Sequence, residues 1–487
     1  VVSALCRSWS DRGLDVVPFK AQNMSNHSAV TPDGGEIGRA QAMQALAARV
    51  ETDRRMNPVL LKPSQGRSHV VVLGEEVDPH RPVDARGYGA VAASLRDTVL
   101  DALTGLRREH AWVVAEGAGG AAEINLLDRD LVNLPLAAAA GLPAVLVADI
   151  DRGGAFAAAY GTLALLPDRL RETVRGIVLN RFRGDASLLD DGIAELERRT
   201  GVPVLGVLPH LGEERMLAVE DSLDLDAPSG APLAAARGDT VAGPPLRVAV
   251  VRLPHLANPA DLDPLVLEPS VALRWATGPH DLADADLVVL PGSRATVADL
   301  AWLRERGLAD AVVATTAPVL GLCAGYQMLG RVIHDDVESG AGTVPGLGLL
   351  PVVTTFARPK TVTRSGHGYQ IRWGRPVVDD GDSGSGDSGW VRLEVDDDGR
   401  EGCRSADGRV RGTSVHGLLD DDDVRRSLLR EVAARSGRAF APTPLGFAEA
   451  REAHLDRLAR WLEAHVDVDA LRATAATAAA PGEAPGW

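Results

Sequence analysis

Cysteine is scarce: Cys6, Cys323 and Cys403 are the only three in 487 residues. They are too few and too scattered for a disulfide framework or a zinc cluster, and they fit a reducing cytoplasm. Positive charge is also short, with 51 Lys plus Arg against 67 Asp plus Glu and a formal net charge of -16. Such a chain repels phosphate backbones, which argues against a nucleic-acid partner and requires any bound phosphate to be held locally. No run of about 18 apolar residues occurs. The alanine-rich stretch 134–150 is broken by Gly141 and Pro143, so no membrane span is expected. The N-terminus lacks the charged-then-apolar layout of a signal peptide. Residues 1–7 read instead as an amphipathic helix already under way, without an initiator methionine.

What is present is globular: 45% hydrophobic and 24% charged residues,. Roughly 100–200 residues per domain suggests two or three units, and two are expected here. From 1 to 223, helical stretches alternate with short apolar runs at 15–18, 111–115, 144–148, 176–179 and 202–207. Runs apolar on both faces and separated by helices indicate a mostly parallel sheet, whose ligands bind at the strands' carboxyl ends. Residues 224–245, rich in Ala, Pro and Gly, read as a linker,. A second α/β domain spans 246–466, with runs at 247–251, 287–290 and 319–322; it too is expected to be a mostly parallel sheet covered by helices,. Residues 379–389 read as a surface loop, 448–466 as a helix packing back on the core through Leu455, Leu458 and Trp461, and 467–487 as a tail,.

In Val319-Leu-Gly-Leu-Cys-Ala-Gly-Tyr-Gln-Met-Leu-Gly330, a buried strand runs into Cys323 between Gly321 and Gly325, and a helix follows. The glycines permit a tight turn that exposes the sulfur, and the helix N-terminus favours the thiolate, as in a nucleophile elbow. The base such a nucleophile needs is offered by His416 in Gly412-Thr-Ser-Val-His-Gly-Leu-Leu419,. Backbone N–H groups of Gly292, in Leu290-Pro-Gly-Ser-Arg294, and of Ala324 are candidates for an oxyanion hole,. Cys6 and Cys403 have no such surroundings and read as structural.

The first domain carries six distinctive blocks: Lys20-Ala-Gln-Asn-Met-Ser-Asn26, Asp33-Gly-Gly-Glu-Ile-Gly-Arg-Ala-Gln41, Met56-Asn-Pro-Val-Leu-Leu-Lys-Pro63, Glu116-Gly-Ala-Gly-Gly-Ala-Ala-Glu-Ile-Asn-Leu126, Asp149-Ile-Asp-Arg-Gly-Gly154 and Asn180-Arg-Phe-Arg-Gly-Asp185. Glu116 ends an apolar run before Gly117 and Gly119, a position suited to magnesium beside nucleotide phosphates. Lys20 also ends a strand and can stabilise phosphoryl charge. Asp33 and Glu36, in a glycine-rich loop, are second-choice metal ligands. The alternative for each of these four is a capping or solvated polar residue.

In this order, and joined to the Cys323 and His416 motifs, the six blocks resemble the cobyric acid synthase family over roughly residues 1–466. The resemblance implies a P-loop NTPase or dethiobiotin synthetase-like domain fused to a flavodoxin-like class I glutamine amidotransferase domain. It implies ATP, Mg2+ and glutamine, with no membrane partner, and is compatible with a homo-oligomer. The substrate implied is a corrinoid, adenosylcobyrinic acid a,c-diamide, amidated on its b, d, e and g side chains in cobalamin biosynthesis. Cys323 would be the nucleophile and His416 its base. Asn23, Ser25 and Asn26 would hold corrinoid arms or the adenine, and Asn180 would read the adenine or cap a turn. Asp149, Asp151 and Arg152 would bind substrate or build an interface. No G-x-x-x-x-G-K-[ST] occurs; by the resemblance, a strand and phosphate loop would lie just upstream of Val1,. Leu418 stands where many class I members have a glutamate. Gly368-Tyr-Gln-Ile-Arg372 departs from the usual Tyr-Glu-Ile-His, which would impair glutamine hydrolysis if that glutamate orients the base,. Cobyrinic acid a,c-diamide synthase and a non-catalytic corrinoid binder are the alternative readings.

Overall fold

The apolar runs of the first half become the strands Val16–Phe19, Trp112–Ala115, Ala144–Asp149, Val174–Phe182 and Val204–Pro209. Those of the second half become Leu246–Val251, Leu287–Leu290 and Val319–Leu322. The structure is a computed structural model that describes residues 1–64, 67–77, 88–211, 243–366, 368–379 and 401–476. Most of the expected linker 224–245, nearly all of the expected loop 379–389 and the tail from 477 onward lie outside the described residues.

One compact unit consists of Val1–Ser25, Ile37–Glu214 and Glu452–Trp487. Val16–Phe19 runs parallel to Trp112–Ala115 with Phe19 opposite Ala115, so Lys20 and Glu116 emerge side by side at the carboxyl ends. A separate parallel sheet has Val174–Phe182 between Ala144–Asp149 and Val204–Pro209. Residues 22–76 add a small sheet that the apolar runs did not announce: Gln22–Met24, Val59–Ser64, Arg67–Val72 and Glu75–Glu76, mostly antiparallel. Val99, Leu103 and Leu106, on one face of the helix Tyr88–Glu109, are buried in a cluster with Val17, Phe19 and Met56. Each such side chain contributes about 1.5–3 kcal/mol on burial. The helix Phe447–His465 packs back as expected: Leu462 and Val466 are buried with Ala4, Val178 and Leu208, and the Trp461 indole donates to the Pro209 carbonyl at 3.2 Å. Arg7, fully buried on the helix Val2–Asp11, is neutralised by Glu452 and Asp456.

The other unit consists of Asn26–Glu36 and Arg215–Arg451, so the two units are not the contiguous blocks expected from the sequence. Its main sheet has the order Val271–Ala276, Leu246–Val251, Leu287–Leu290, Val319–Leu322, Val410–Thr413 and Cys403–Arg404. The first five strands are parallel and the last antiparallel. A second, four-stranded sheet centres on a long antiparallel hairpin of Val352–Ser365 with Gly368–Val378. Cys6 and Cys403 are buried core residues. Among the described residues, no helix is long and apolar enough to cross a membrane.

Candidate active site

The strand Val319–Leu322 is buried throughout and turns sharply at Cys323, which adopts φ 49° and ψ −106°. Positive φ at a non-glycine residue is strained and persists only where the surroundings enforce it. The flanking glycines act differently from the expectation, because neither has positive φ. They are needed for close approach: a Cβ on Gly325 would lie 2.0 Å from the Leu290 carbonyl oxygen, and one on Gly321 would lie 2.5 Å from Leu329 Cδ1. Gly325→Ala is therefore expected to destabilise this unit by about 3 kcal/mol or more, read as a lower thermal unfolding midpoint.

The neighbouring strand Val410–Thr413 holds the turn, its Thr413 carbonyl accepting the Cys323 N–H at 2.7 Å, and then delivers His416. His416 Nδ1 lies 2.7 Å from Asp261 Oδ2, and the other Asp261 oxygen accepts the Gly417 N–H at 2.9 Å. With Nδ1 engaged, Nε2 is the nitrogen left for the hydrogen bond with Cys323,. Burial pushes His416 toward neutrality, but the Asp261 carboxylate and the Cys323 sulfur outweigh it and raise its pKa to about 10,. A Cβ built on Gly292 would lie 3.3 Å from His416 Cε1 and 3.8 Å from Cys323 Cβ, so Gly292 borders both side chains. Ala324 opens the helix Ala324–Leu329, where an N–H has no intrahelical acceptor,.

Asp261 was not identified from the sequence. It supplies a carboxylate to the imidazole although buried Leu418, where many class I members have a glutamate, supplies none. It lies 155 residues before His416 in an Ala-Asp-Leu-Asp stretch without any motif, and no sequence signal could have singled it out.

The Gln370 and Arg372 departures form an internal pair. Arg372 Nε donates to Gln370 Oε1 at 2.7 Å and a second guanidinium nitrogen donates to the Gly374 carbonyl at 2.7 Å. Burial lowers the Arg372 pKa, while Glu401, Cys323 and Tyr326 hold it up, so the guanidinium lies in the field of the cysteine sulfur. Burial raises the Glu401 carboxyl, against hydrogen bonds from Thr413 and Ser414 and the charge of Arg372.

In the first unit, Lys20 is 3% exposed and its Nζ lies 3.0 Å from Glu116 Oε1, while Gln44 donates to Glu116 Oε2. The Glu116 side chain is 23% exposed. Buried Asn23 donates to Gln41 Oε1 at 3.2 Å, and the N–H of buried Ser25 donates to the Leu61 carbonyl at 3.0 Å. Asn26 belongs to the other unit. Asn180 lies within the strand Val174–Phe182, which continues past the end expected at 179, and its amide oxygen accepts the Arg181 N–H at 3.0 Å. Asp149 and Asp151 are ion-paired with Arg181, and Asp151 also with Arg183; Arg152 is exposed beside them.

Glu36, 2% exposed, pairs with Lys360 at 2.6 Å in the second unit, and Asp33 accepts from the Thr31 hydroxyl. Among the described residues, no three His, Cys, Asp or Glu side chains are grouped to hold a metal ion.

Two family models match the chain: the CobQ/CobB/MinD/ParA nucleotide binding domain over residues 1–214 and the CobB/CobQ-like glutamine amidotransferase domain over residues 247–424. Similar curated proteins include a cobyric acid synthase of Frankia casuarinae, 48% identical over 97% of this chain and 93% of its own. One of Nocardia farcinica is 49% identical over 97% and 93%, and one of Salmonella typhi 43% identical over 96% and 94%.

Proposed function

Since the chain belongs to the cobyric acid synthase family, we propose that it amidates the b, d, e and g carboxylates of adenosylcobyrinic acid a,c-diamide, with glutamine as nitrogen donor and ATP as activator. The observation that carries this reading is the line Cys323, His416, Asp261, a nucleophile, a proton carrier and an orienting carboxylate in hydrogen-bonded sequence,.

His416, held protonated by Asp261, keeps the Cys323 sulfur in reactive form. The sulfur attacks the glutamine side-chain carbonyl, and the oxyanion that forms is held by the N–H groups of Gly292 and Ala324. His416 passes its proton to the departing nitrogen, releasing ammonia and leaving a thioester. It then accepts a proton from the water that hydrolyses the thioester to glutamate. Arg372, in the field of the sulfur, supports negative charge there even though the usual glutamate and histidine of its motif are absent.

In the first unit, a corrinoid carboxylate attacks the γ-phosphate of ATP, giving an acyl phosphate and ADP. Ammonia then displaces phosphate to form the amide. Lys20 neutralises charge that develops on the transferred phosphoryl group. Mg2+ commonly takes one or two protein carboxylates together with substrate phosphates, and the partly exposed Glu116 fits that demand; Asp33, which is exposed, stands as a second candidate, whereas Glu36 is buried against Lys360,. When bound at Glu116, the ion supplies neutralisation of phosphate charge. Corrinoid arms meet the polar groups at the carboxyl ends of the strands, among them Asp149, Asp151 and Arg152.

Mass spectrometry of the corrinoid after incubation with Mg-ATP and glutamine tests this reading. Stepwise acid-to-amide shifts that require both reagents are expected; no shift with either glutamine or ammonium would refute it. Glu116→Gln is expected to lower amidation from glutamine and from ammonium alike, by about a hundredfold or more, while glutamate release from glutamine persists.

A further inference from the structure

Residues 26–36 precede the amidotransferase half by some 200 positions, yet they pack within the unit that holds Cys323 and His416. The strand Ser28–Val30 is buried throughout. Its first residue is held through both of its backbone groups: the Ser28 N–H donates to Asn258 Oδ1 at 3.0 Å, and the Ser28 carbonyl accepts from the Tyr369 hydroxyl at 2.9 Å. Each partner leads directly to His416.

Asn258 stands at the head of the turn Pro259–Leu262, in the left-handed region with φ 50°, and its carbonyl accepts the Asp261 N–H at 3.2 Å. Asparagine tolerates that conformation better than most residues, and fixing its amide oxygen on Ser28 fixes the start of the turn. The turn carries Asp261, which holds His416 Nδ1 and the Gly417 N–H. Tyr369 reaches His416 from the long hairpin. Its ring stacks on the imidazole at a centroid distance of 5.4 Å and 28° between planes, and the two residues exchange backbone hydrogen bonds of 3.0 and 2.8 Å. That approach requires Gly368 beside it, because a Cβ there would lie 2.1 Å from the His416 carbonyl oxygen.

The far end of the segment is anchored to the same hairpin. Glu36 pairs with Lys360, with side chains 2% and 8% exposed, on the strand that pairs with the one bearing Tyr369. A buried ion pair of this kind loses several kcal/mol when one member is removed, because the other is left charged and unpaired.

We infer that residues 26–36 are a working part of the glutamine site: the Ser28 backbone positions His416 by holding Tyr369 and the turn that carries Asp261. Tyr369 and Asn258 are on this account positioning residues, since the Tyr369 hydroxyl and the Asn258 amide oxygen bond to Ser28 and act on the reaction through His416. The inference rests on the reading of His416 as the proton carrier for Cys323.

Tyr369→Phe keeps the stacked ring and removes only the donor to Ser28; Asn258→Ala removes the acceptor on the other side. In the full chain, each is expected to lower the ratio of glutamine-dependent to ammonium-dependent amidation about tenfold, through kcat with little change in KM for glutamine. The basic limb of the glutaminase pH profile moves to lower pH in both, because a looser Asp261 supports the imidazolium less; Asp261, Cys323 and Tyr369 are the titratable groups facing that ring. Asn258→Asp, which keeps an acceptor oxygen and tolerates the left-handed conformation, restores most of the ratio. Unchanged kcat and pH profile in both variants would overturn the inference. Equal losses from glutamine and ammonium would also overturn it, showing a structural role only. Cys323→Ser, run alongside, separates the two failures: if it retains full glutamine use, the reading of the site itself is wrong.

Discussion

Cys323→Ser is expected to abolish glutamine-dependent amidation, by about a thousandfold or more, and to leave ammonium-dependent amidation in place. The hydroxyl is a far weaker nucleophile than the sulfur, and a protonated imidazole, suited to a thiolate partner, does not activate it. The substitution removes no packing of consequence, because serine fits the same elbow and the strained φ of 49° is enforced by neighbouring strands. Parallel assays of glutamate release and of corrinoid amidation from each nitrogen source check this. Equal loss from both sources would mean that Cys323 supports the fold and not glutamine hydrolysis.

Asp261→Asn is expected to cost about a thousandfold in glutaminase kcat, in keeping with the loss of the orienting carboxylate in other nucleophile–histidine systems. An amide at this position can accept the imidazole N–H only in one orientation and brings no charge to stabilise the imidazolium. The pH dependence follows from the same contact. His416 is raised to about 10 because Asp261 and Cys323 outweigh burial. A raised histidine keeps its proton as pH climbs and loses it only on passing the folded-state value, so wild-type glutaminase should hold its rate through neutral and mildly alkaline pH and fall near 10. With Asp261 neutralised, Cys323 is left to oppose burial without the carboxylate, so the pKa drops and the fall begins at lower pH. An unshifted basic limb in a folded Asp261→Asn protein would show that the carboxylate is not what holds the proton.

The parts of the site that were legible in the sequence are those encoded by contiguous chemistry. Cys323 is announced by its strand, its glycines and the helix that follows, and His416 by a short motif. Lys20 and Glu116 were placed at strand ends, and parallel pairing of those strands brings them to 3.0 Å. Asp261 was invisible because its function arises only from the fold, which carries a motif-free turn to the far side of the imidazole. The pairing of Glu36 with Lys360 was invisible for the same reason. The glycine-rich surroundings of Glu36 suggested a metal loop; the chain takes residues 26–36 into the other unit, where Lys360 neutralises the carboxylate. Gln370 and Arg372 depart from a family pattern, which would impair glutamine hydrolysis if the usual glutamate orients the base. What the sequence did not show is that their side chains bond to each other, with the guanidinium in the field of Cys323 and Glu401. The long hairpin of 352–378 carries Tyr369 and Lys360, yet it lacks the uniformly apolar runs that marked the parallel strands, so the motif at 368–372 was read but the hairpin that carries it was not foreseen.

The central claim is that nitrogen released from glutamine at Cys323 ends in corrinoid amides. The most direct measurement supplies glutamine labelled in its amide nitrogen, with Mg-ATP and adenosylcobyrinic acid a,c-diamide, and follows the label into the corrinoid by mass spectrometry. Label in the new amides of the wild-type protein is predicted, together with none in Cys323→Ser unless labelled ammonium is added. Label incorporated by Cys323→Ser from glutamine, or glutamine hydrolysed by the wild type without any label reaching the corrinoid, would contradict it.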